Sequence, residues 1–263
     1  MLSISINKIE KSYLEFREFR RFDLINKIFL KKSLDKGNKK IVLKTEKLTI
    51  SGKIIFLYSY NLPAVESLFQ ILTYMQRPTK GTITFKNSFF YLNIIDGFLL
   101  KNKDYNHNYS FFKNFFNLNR IKFDQVIEET DKKFNLNSSD KPLTNLPIDH
   151  LQYVLLKLFN ITNIYDSCLI KDYENFNPII RSLILEGKNK NYIFHIQKGA
   201  KKLFNNKLTF SNLIIDNQGN INFYKNSSKN YLFWELYLKY IKENKITKKD
   251  NQNMMNIEDE YEL

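Results

Sequence analysis

Glycine is scarce in this chain, with 7 in 263 residues, less than half the usual share of about 7%. None lies between Gly52 and Gly81, so a tight turn in that stretch lacks the residue that tolerates positive φ. The single cysteine, Cys168, permits no internal disulfide. Its apolar surroundings predict an inert thiol in a reducing cytoplasm. His107, His150 and His195 have no cysteine or paired acid at metal-ligand spacing, so no zinc site is expected. No apolar run approaches the roughly 18–20 residues of a membrane span. The opening MLSISINKIE lacks the apolar stretch of a signal peptide. Neither G-x-S-x-G nor H-E-x-x-H occurs, and no Ser/His/Asp set is disposed for nucleophilic catalysis.

What the chain does hold is basic and aromatic. Its 41 Lys and Arg against 27 Asp and Glu give a formal charge of +14. That excess favours anionic partners, yet much of it is lysine beside asparagine and isoleucine, as AT-rich coding imposes. A solvated basic surface is the expectation, rather than a dedicated nucleic-acid site. The 23 Phe and 16 Tyr fall mostly on the buried phase of strands and helices, which assigns them to a core. Phe111, Phe112, Phe115 and Phe116 form a denser patch.

Alternation predicts strands at residues 3–9, 42–50, 54–58 and 168–170, with a strand or hairpin at 82–92. A further strand is expected at 192–195, and a hairpin of 208–216 with 221–224 across Asn217-Gln218-Gly219-Asn220. Helical spacing appears at 64–76, 109–117, 120–134, 148–159, 178–185, 198–204 and 231–241. The last of these holds Trp234, the only tryptophan. Residues 10–40 are charged and aromatic-rich, helical or partly mobile. Alternating strands and helices predict an α/β fold, a largely parallel twisted sheet with helices on both faces. One domain over residues 1–243 is expected, with a helical subdomain at about 93–160. A polar, acidic tail at 244–263 ends IEDEYEL and reads as disordered.

Residues 52–85, GKIIFLYSYNLPAVESLFQILTYMQRPTKGTITF, have the layout of a nucleotide-binding P-loop: strand, short turn, helix, turn, strand. In G-x-x-x-x-G-K-[ST], glycines let amides curl around phosphate, lysine neutralises it, and the hydroxyl ligates Mg²⁺. Here the positions read Ser59, Tyr60, Asn61, Leu62, Pro63, Ala64, Val65, Glu66 and Ser67. Pro63 removes an N–H. Val65 carries no charge, and Glu66 brings a carboxylate to the helix start, where a ligand's anion would sit. The scaffold is kept and its phosphate chemistry is not.

The segment resembles the nucleotide-binding subunit of an ABC transporter, in particular the teichoic-acid and polysaccharide export branch. Residues 52–85 lie along that family's strand, loop, helix and PT-x-G-x-I turn without a gap. The likeness extends over most of residues 1–225. IEKSYLEFREFRRFDLINKIFLKK resembles the basic insertion with which export subunits open, and places Tyr13 where an aromatic residue stacks on adenine. FNITNIYDSCLIKDYENFNP resembles the approach to Walker B. NYIFHIQKGAKKLF resembles the switch-histidine segment, with His195 at that position. LTFSNLIIDNQGNINFYKN resembles the closing strands.

The resemblance implies positions for the remaining motifs, and each departs from the family's pattern. Without a gap, Lys171 takes the place of Walker B's magnesium-binding aspartate and Asp172 that of the catalytic glutamate. Shifted by one, Asp172 becomes the magnesium ligand and Tyr173 replaces the glutamate. The first register is preferred because it also aligns Asp166. It sets Lys171 facing Glu66, as an ion pair filling the old metal site or as two independent charges. The signature loop should precede the helix at 148–159, but Asn145–Gln152 reads NLPIDHLQ. Pro147, Ile148, Asp149 and His150 stand there without a glycine. No glutamine lies between Gln76 and Gln125, so the Q-loop sensor is missing too. The Phe111–Phe116 patch would dock on a membrane protein, as the family's subdomain does, or pack that subdomain.

The expectation is a P-loop NTPase-like ABC domain that is degenerate at its nucleotide site, with no catalytic residue, no metal and no cofactor. It would be peripheral on the inner face of the cell membrane, contacting a membrane permease or an intact ATPase subunit, as a homo- or heterodimer. Two other classes stay open: an active subunit using ATP and Mg²⁺ through unorthodox residues, and a basic nucleic-acid-binding protein. In the last, binding would weaken steeply with salt and positive residues would gather on one face.

Overall fold

The computed structural model describes residues 1–14, 39–92, 98–171, 177–187, 189–196 and 210–225. Two sheets organise it. The larger has six strands: β4 (Ile54–Tyr58), β6 (Phe89–Tyr91), β7 (Ser167–Ile170), β8 (Asn191–Ile196), β9 (Ser211–Ile215) and β10 (Ile221–Tyr224). Their order is β10-β9-β4-β8-β7-β6. All neighbours run parallel except the β9–β10 hairpin at one edge. The smaller sheet is antiparallel. Its long β1 (Leu2–Leu14) pairs with β2 (Lys39–Thr45) and β3 (Leu48–Gly52), and also with β5 (Lys80–Phe85).

Side chains alternate across a strand, and β4 divides accordingly between two cores. Ile54, Phe56 and Tyr58 face one core; Ile55 and Leu57 face the other. On the first side lie α2 (Tyr105–Phe116), α3 (Arg120–Phe134), α4 (Ile148–Ile161) and α5 (Pro178–Glu186). On the second lie α1 (Leu62–Leu72) and the small sheet. Helices lie on both faces, as expected, but unequally: among the described residues one face carries a single helix together with an antiparallel sheet, whose Leu2, Ile4, Ile6 and Ile50 join its core.

Other boundaries also moved. The strand expected at 42–50 is two, broken by a turn at Glu46–Lys47, and the segment at 82–92 is not a hairpin. Its halves, β5 and β6, belong to different sheets. The helix expected at 64–76 stops at Leu72, where Tyr74 takes positive φ. The expectations at 198–204, 231–241 and 244–263, and most of the one at 10–40, lie outside the described residues.

The helical subdomain is tied by buried polar groups as well as by apolar packing. His150, completely buried, sits between Tyr105 and Asp131. Its Nε2 donates to Asp131 Oδ1 at 2.8 Å, and its Nδ1 accepts from the Tyr105 hydroxyl at 3.0 Å. Asp131 Oδ2 also takes the Ser138 amide and hydroxyl. Three helices thus share one satisfied network, as burial of polar groups demands. Desolvation holds His150 below its ordinary pKa, against the pull of Asp131, and burial raises that of Tyr105.

Candidate functional site

The candidate site is the corner where β4 passes into α1. Asn61 caps the helix, its Oδ1 accepting the Ala64 amide at 3.2 Å. Asparagine is a favoured cap because its short side chain reaches an amide the helix leaves unpaired, and Pro63 sits in the first turn, where a missing N–H costs nothing. The Asn61 amide group also donates to the carbonyls of Asp216 and Asn217, tying the corner to the β9–β10 turn. Ser59, completely buried, donates its hydroxyl to Ile215 O at 2.9 Å and accepts the Asn61 amide on the same oxygen at 3.1 Å.

Backbone donors of the corner already have carbonyl acceptors, most of them within the corner itself. The amides of Ser59, Leu62, Ala64 and Val65 donate to the carbonyls of Ile196, Tyr60, Asn61 and Asn61 respectively. Ala64 and Val65 are completely buried in the core beneath the small sheet. Sequence reading marked Val65 as uncharged; it could not show that the side chain at this position is part of the core.

Glu66 is the hub of the polar cluster beside this corner. Its Oε2 accepts the Tyr91 hydroxyl at 2.8 Å and lies 3.7 Å from Lys171 Nζ. Its Oε1 accepts the Gln70 amide group at 3.1 Å. The structure thus brings together Glu66 and Lys171, and adds Tyr91 and Gln70, which sequence reading missed. Tyr91 ends β6, a strand parallel to the β7 that delivers Lys171; only the strand order makes them neighbours. Asp172 and Tyr173 lie outside the described residues.

His195, completely buried, donates from Nε2 to the Ser59 carbonyl at 2.9 Å. A carbonyl only accepts, so that nitrogen carries the proton. The histidine therefore joins β8 to the corner, one residue along from where β4 and β8 end in register. Tyr13 reaches the other flank: its hydroxyl lies 3.1 Å from Ser67 Oγ and donates to Gln76 Oε1 at 2.8 Å. Lys11 stands over the Tyr13 ring.

The remaining expected residues sit apart from this cluster. Pro147 and Ile148 are exposed at the start of α4, with Ile148 65% exposed. Asp149 accepts from Asn177 at 3.2 Å, and His150 is in the interhelical network. Of the phenylalanine patch, Phe112 and Phe116 are fully buried, while Phe111 and Phe115 pack only partly against the core. Phe98, 59% exposed, stacks on Phe111. Among the described residues, no three His, Cys, Asp or Glu gather to hold a metal, and no helix is long and apolar enough to cross a membrane.

No protein-family model matches the chain and no curated protein does, but solved structures resemble it. A bacterial Atm1-family ABC exporter with ATP bound aligns at TM-score 0.57 and 9% identity, over 90% of this chain and 41% of the exporter. The chain spans less than half of that protein's length. CbiO1 from Clostridium perfringens, part of the ABC transporter complex CbiONQ, aligns at TM-score 0.52 and 12% identity, over 93% of this chain and 98% of its own. Identities this low speak for architecture alone. This chain has the α/β, P-loop NTPase-like fold of ABC transporter ATP-binding domains.

Proposed function

We propose that the chain is a non-catalytic, ABC ATPase-like subunit that works beside a membrane permease or an intact ATPase in the export of polysaccharide or teichoic acid. The observation that carries this reading is that the amides of the corner, those of Ser59, Asn61, Leu62, Ala64 and Val65, are already bonded within the protein, and Pro63 has no N–H. A phosphate would have to displace these bonds, each worth about 1 kcal/mol net and more if left unmade.

Mg-ATP, the ligand this fold implies, does not fit the residues present. The position that should supply an ammonium holds the buried Val65. Where a hydroxyl should ligate the metal, Glu66 already carries Tyr91 and Lys171. Like charges about 4 Å apart repel by roughly 4 kcal/mol at an effective dielectric near 20. The resemblance would put the Lys171 ammonium, 3.7 Å from Glu66, near the position of the family's divalent ion, and this supports the reading further.

The exported polymer rests on the resemblance of residues 52–85, and the partner on the exposed edge of the aromatic patch. Phe98, 59% exposed, stacks on Phe111, and with Leu100, 58% exposed, offers apolar area to a membrane protein. Thermal unfolding of the full chain with ATP, before and after magnesium chelation, tests the reading. No shift in midpoint is expected in either condition. A magnesium-dependent rise would favour the active alternative.

A further inference from the structure

Tyr74 follows α1 with φ +60°. It occupies the residue just beyond the helix cap Thr73, its amide bonded to Ile71 O and those of Met75 and Gln76 to Gln70 O. A left-handed residue that closes a helix this way is usually glycine, sometimes asparagine. A tyrosine there is strained, because its Cβ crowds the backbone. The strain is not offset by burial. Tyr74 is 76% exposed and Met75 46% exposed. The ring is instead held by Phe85, at 4.9 Å between centroids, so it projects from a fixed base.

The surroundings are basic. Arg77 and Lys86 are exposed, and among the described residues neither forms an ion pair. Lys86 directly follows Phe85, and Arg77 lies three residues beyond Tyr74, with Lys11 donating to its carbonyl at 3.0 Å. Glu10, on the neighbouring strand β1, is paired with Lys80 at 3.2 Å. An amphipathic ring beside an exposed thioether, with exposed cations three residues on and next to its supporting Phe85, is the chemistry of a membrane–water interface.

We propose that the Tyr74–Met75 protrusion and its basic rim form a contact for an anionic lipid surface. It lies at the opposite end of α1 from the Asn61 cap, about 16 Å along an 11-residue helix, and does not depend on the state of the β4–α1 corner. Tyrosine and methionine would enter the headgroup region while Arg77 and Lys86 meet lipid phosphate. Neutral lipid would satisfy only the first half of this.

The test is co-sedimentation of the full chain with phosphatidylcholine vesicles, with and without phosphatidylglycerol. Binding is expected on the anionic vesicles only and should fall with salt. Tyr74→Gly should lower that partition about threefold or more while raising the melting temperature, since glycine relaxes the left-handed turn. Arg77→Glu with Lys86→Glu should lower it at least about tenfold, as loss of two basic contacts at an anionic surface implies. The control pair Lys122→Glu with Lys132→Glu, exposed on α3, should lower it far less. The proposal is overturned by absence of binding to the anionic vesicles, by an unchanged partition of Tyr74→Gly, or by a control pair as damaging as the rim pair. A lower melting temperature for Tyr74→Gly would also overturn it, by making Tyr74 a structural residue.

Discussion

Lys171 Nζ stands 3.7 Å from Glu66 Oε2, the same oxygen that accepts the Tyr91 hydroxyl at 2.8 Å. The two charges come from the residue after β7 and the second turn of α1, and meet beside the β4–α1 corner. Their side chains are 24% and 33% exposed, so water screens the attraction.

A double-mutant cycle of Glu66→Gln and Lys171→Met should therefore give a coupling of only about 0.5–1 kcal/mol, shrinking as salt rises. Chemical denaturation of the four proteins measures it. A coupling of several kcal/mol would mean a far drier pair than this geometry describes.

Val65→Lys would supply the ammonium that the proposed phosphate-loop alignment calls for, but places it in the core beneath the small sheet, where Val65 has no exposed surface. Destabilisation of about 3 kcal/mol or more is expected, from lost apolar burial and an unpaired buried charge. A urea titration checks it. A stable Val65→Lys protein that gains ATP binding would indicate a corner able to open.

Much of this was legible from residues and some was not. The β4–α1 unit follows from five consecutive apolar residues, an asparagine cap and a proline in the first turn, all local signals. α3 matched its expected limits at both ends because Asn119 and Asn135 mark them as cap residues. The parting of β5 from β6 depends on which sheet each strand joins, a long-range choice that a short apolar run does not record. Tyr91 was missed as a partner of Glu66 for the same reason. The fate of His150 was also hidden: position marked it as part of a signature loop, whereas three helices converging on it make it an interior residue.

Stability should depend on pH through His150. Its folded pKa lies below its ordinary value of about 6.5 because burial disfavours the imidazolium. The unfolded chain then binds more protons than the folded one just below pH 6.5, so stability falls with acid there. It should be level above about pH 7 and decline as pH drops through about 6.5. His150→Gln, which can still bond Asp131 and Tyr105, should remove that part of the slope. Denaturation midpoints between pH 5 and 8 decide the matter.

Gly81→Ala and Gly219→Ala probe two turns at positive φ, +82° and +80°. An added Cβ would meet the carbonyl of Lys8 in the first and of Val42 in the second, backbone that cannot step aside. Each should cost at least about 1–3 kcal/mol, whereas Gly52, where an added Cβ meets side chains of Ser211 and Ile55 at a tight 3.2 and 3.3 Å that a small side-chain shift relieves, should tolerate alanine better. Thermal melts of the three variants test this ranking.

Isothermal titration of the full chain with ATP in excess magnesium most directly tests the proposal that the β4–α1 corner binds no nucleotide. Heats no larger than dilution are expected, with and without magnesium. Saturable binding that requires magnesium and is lost in Glu66→Ala would contradict it.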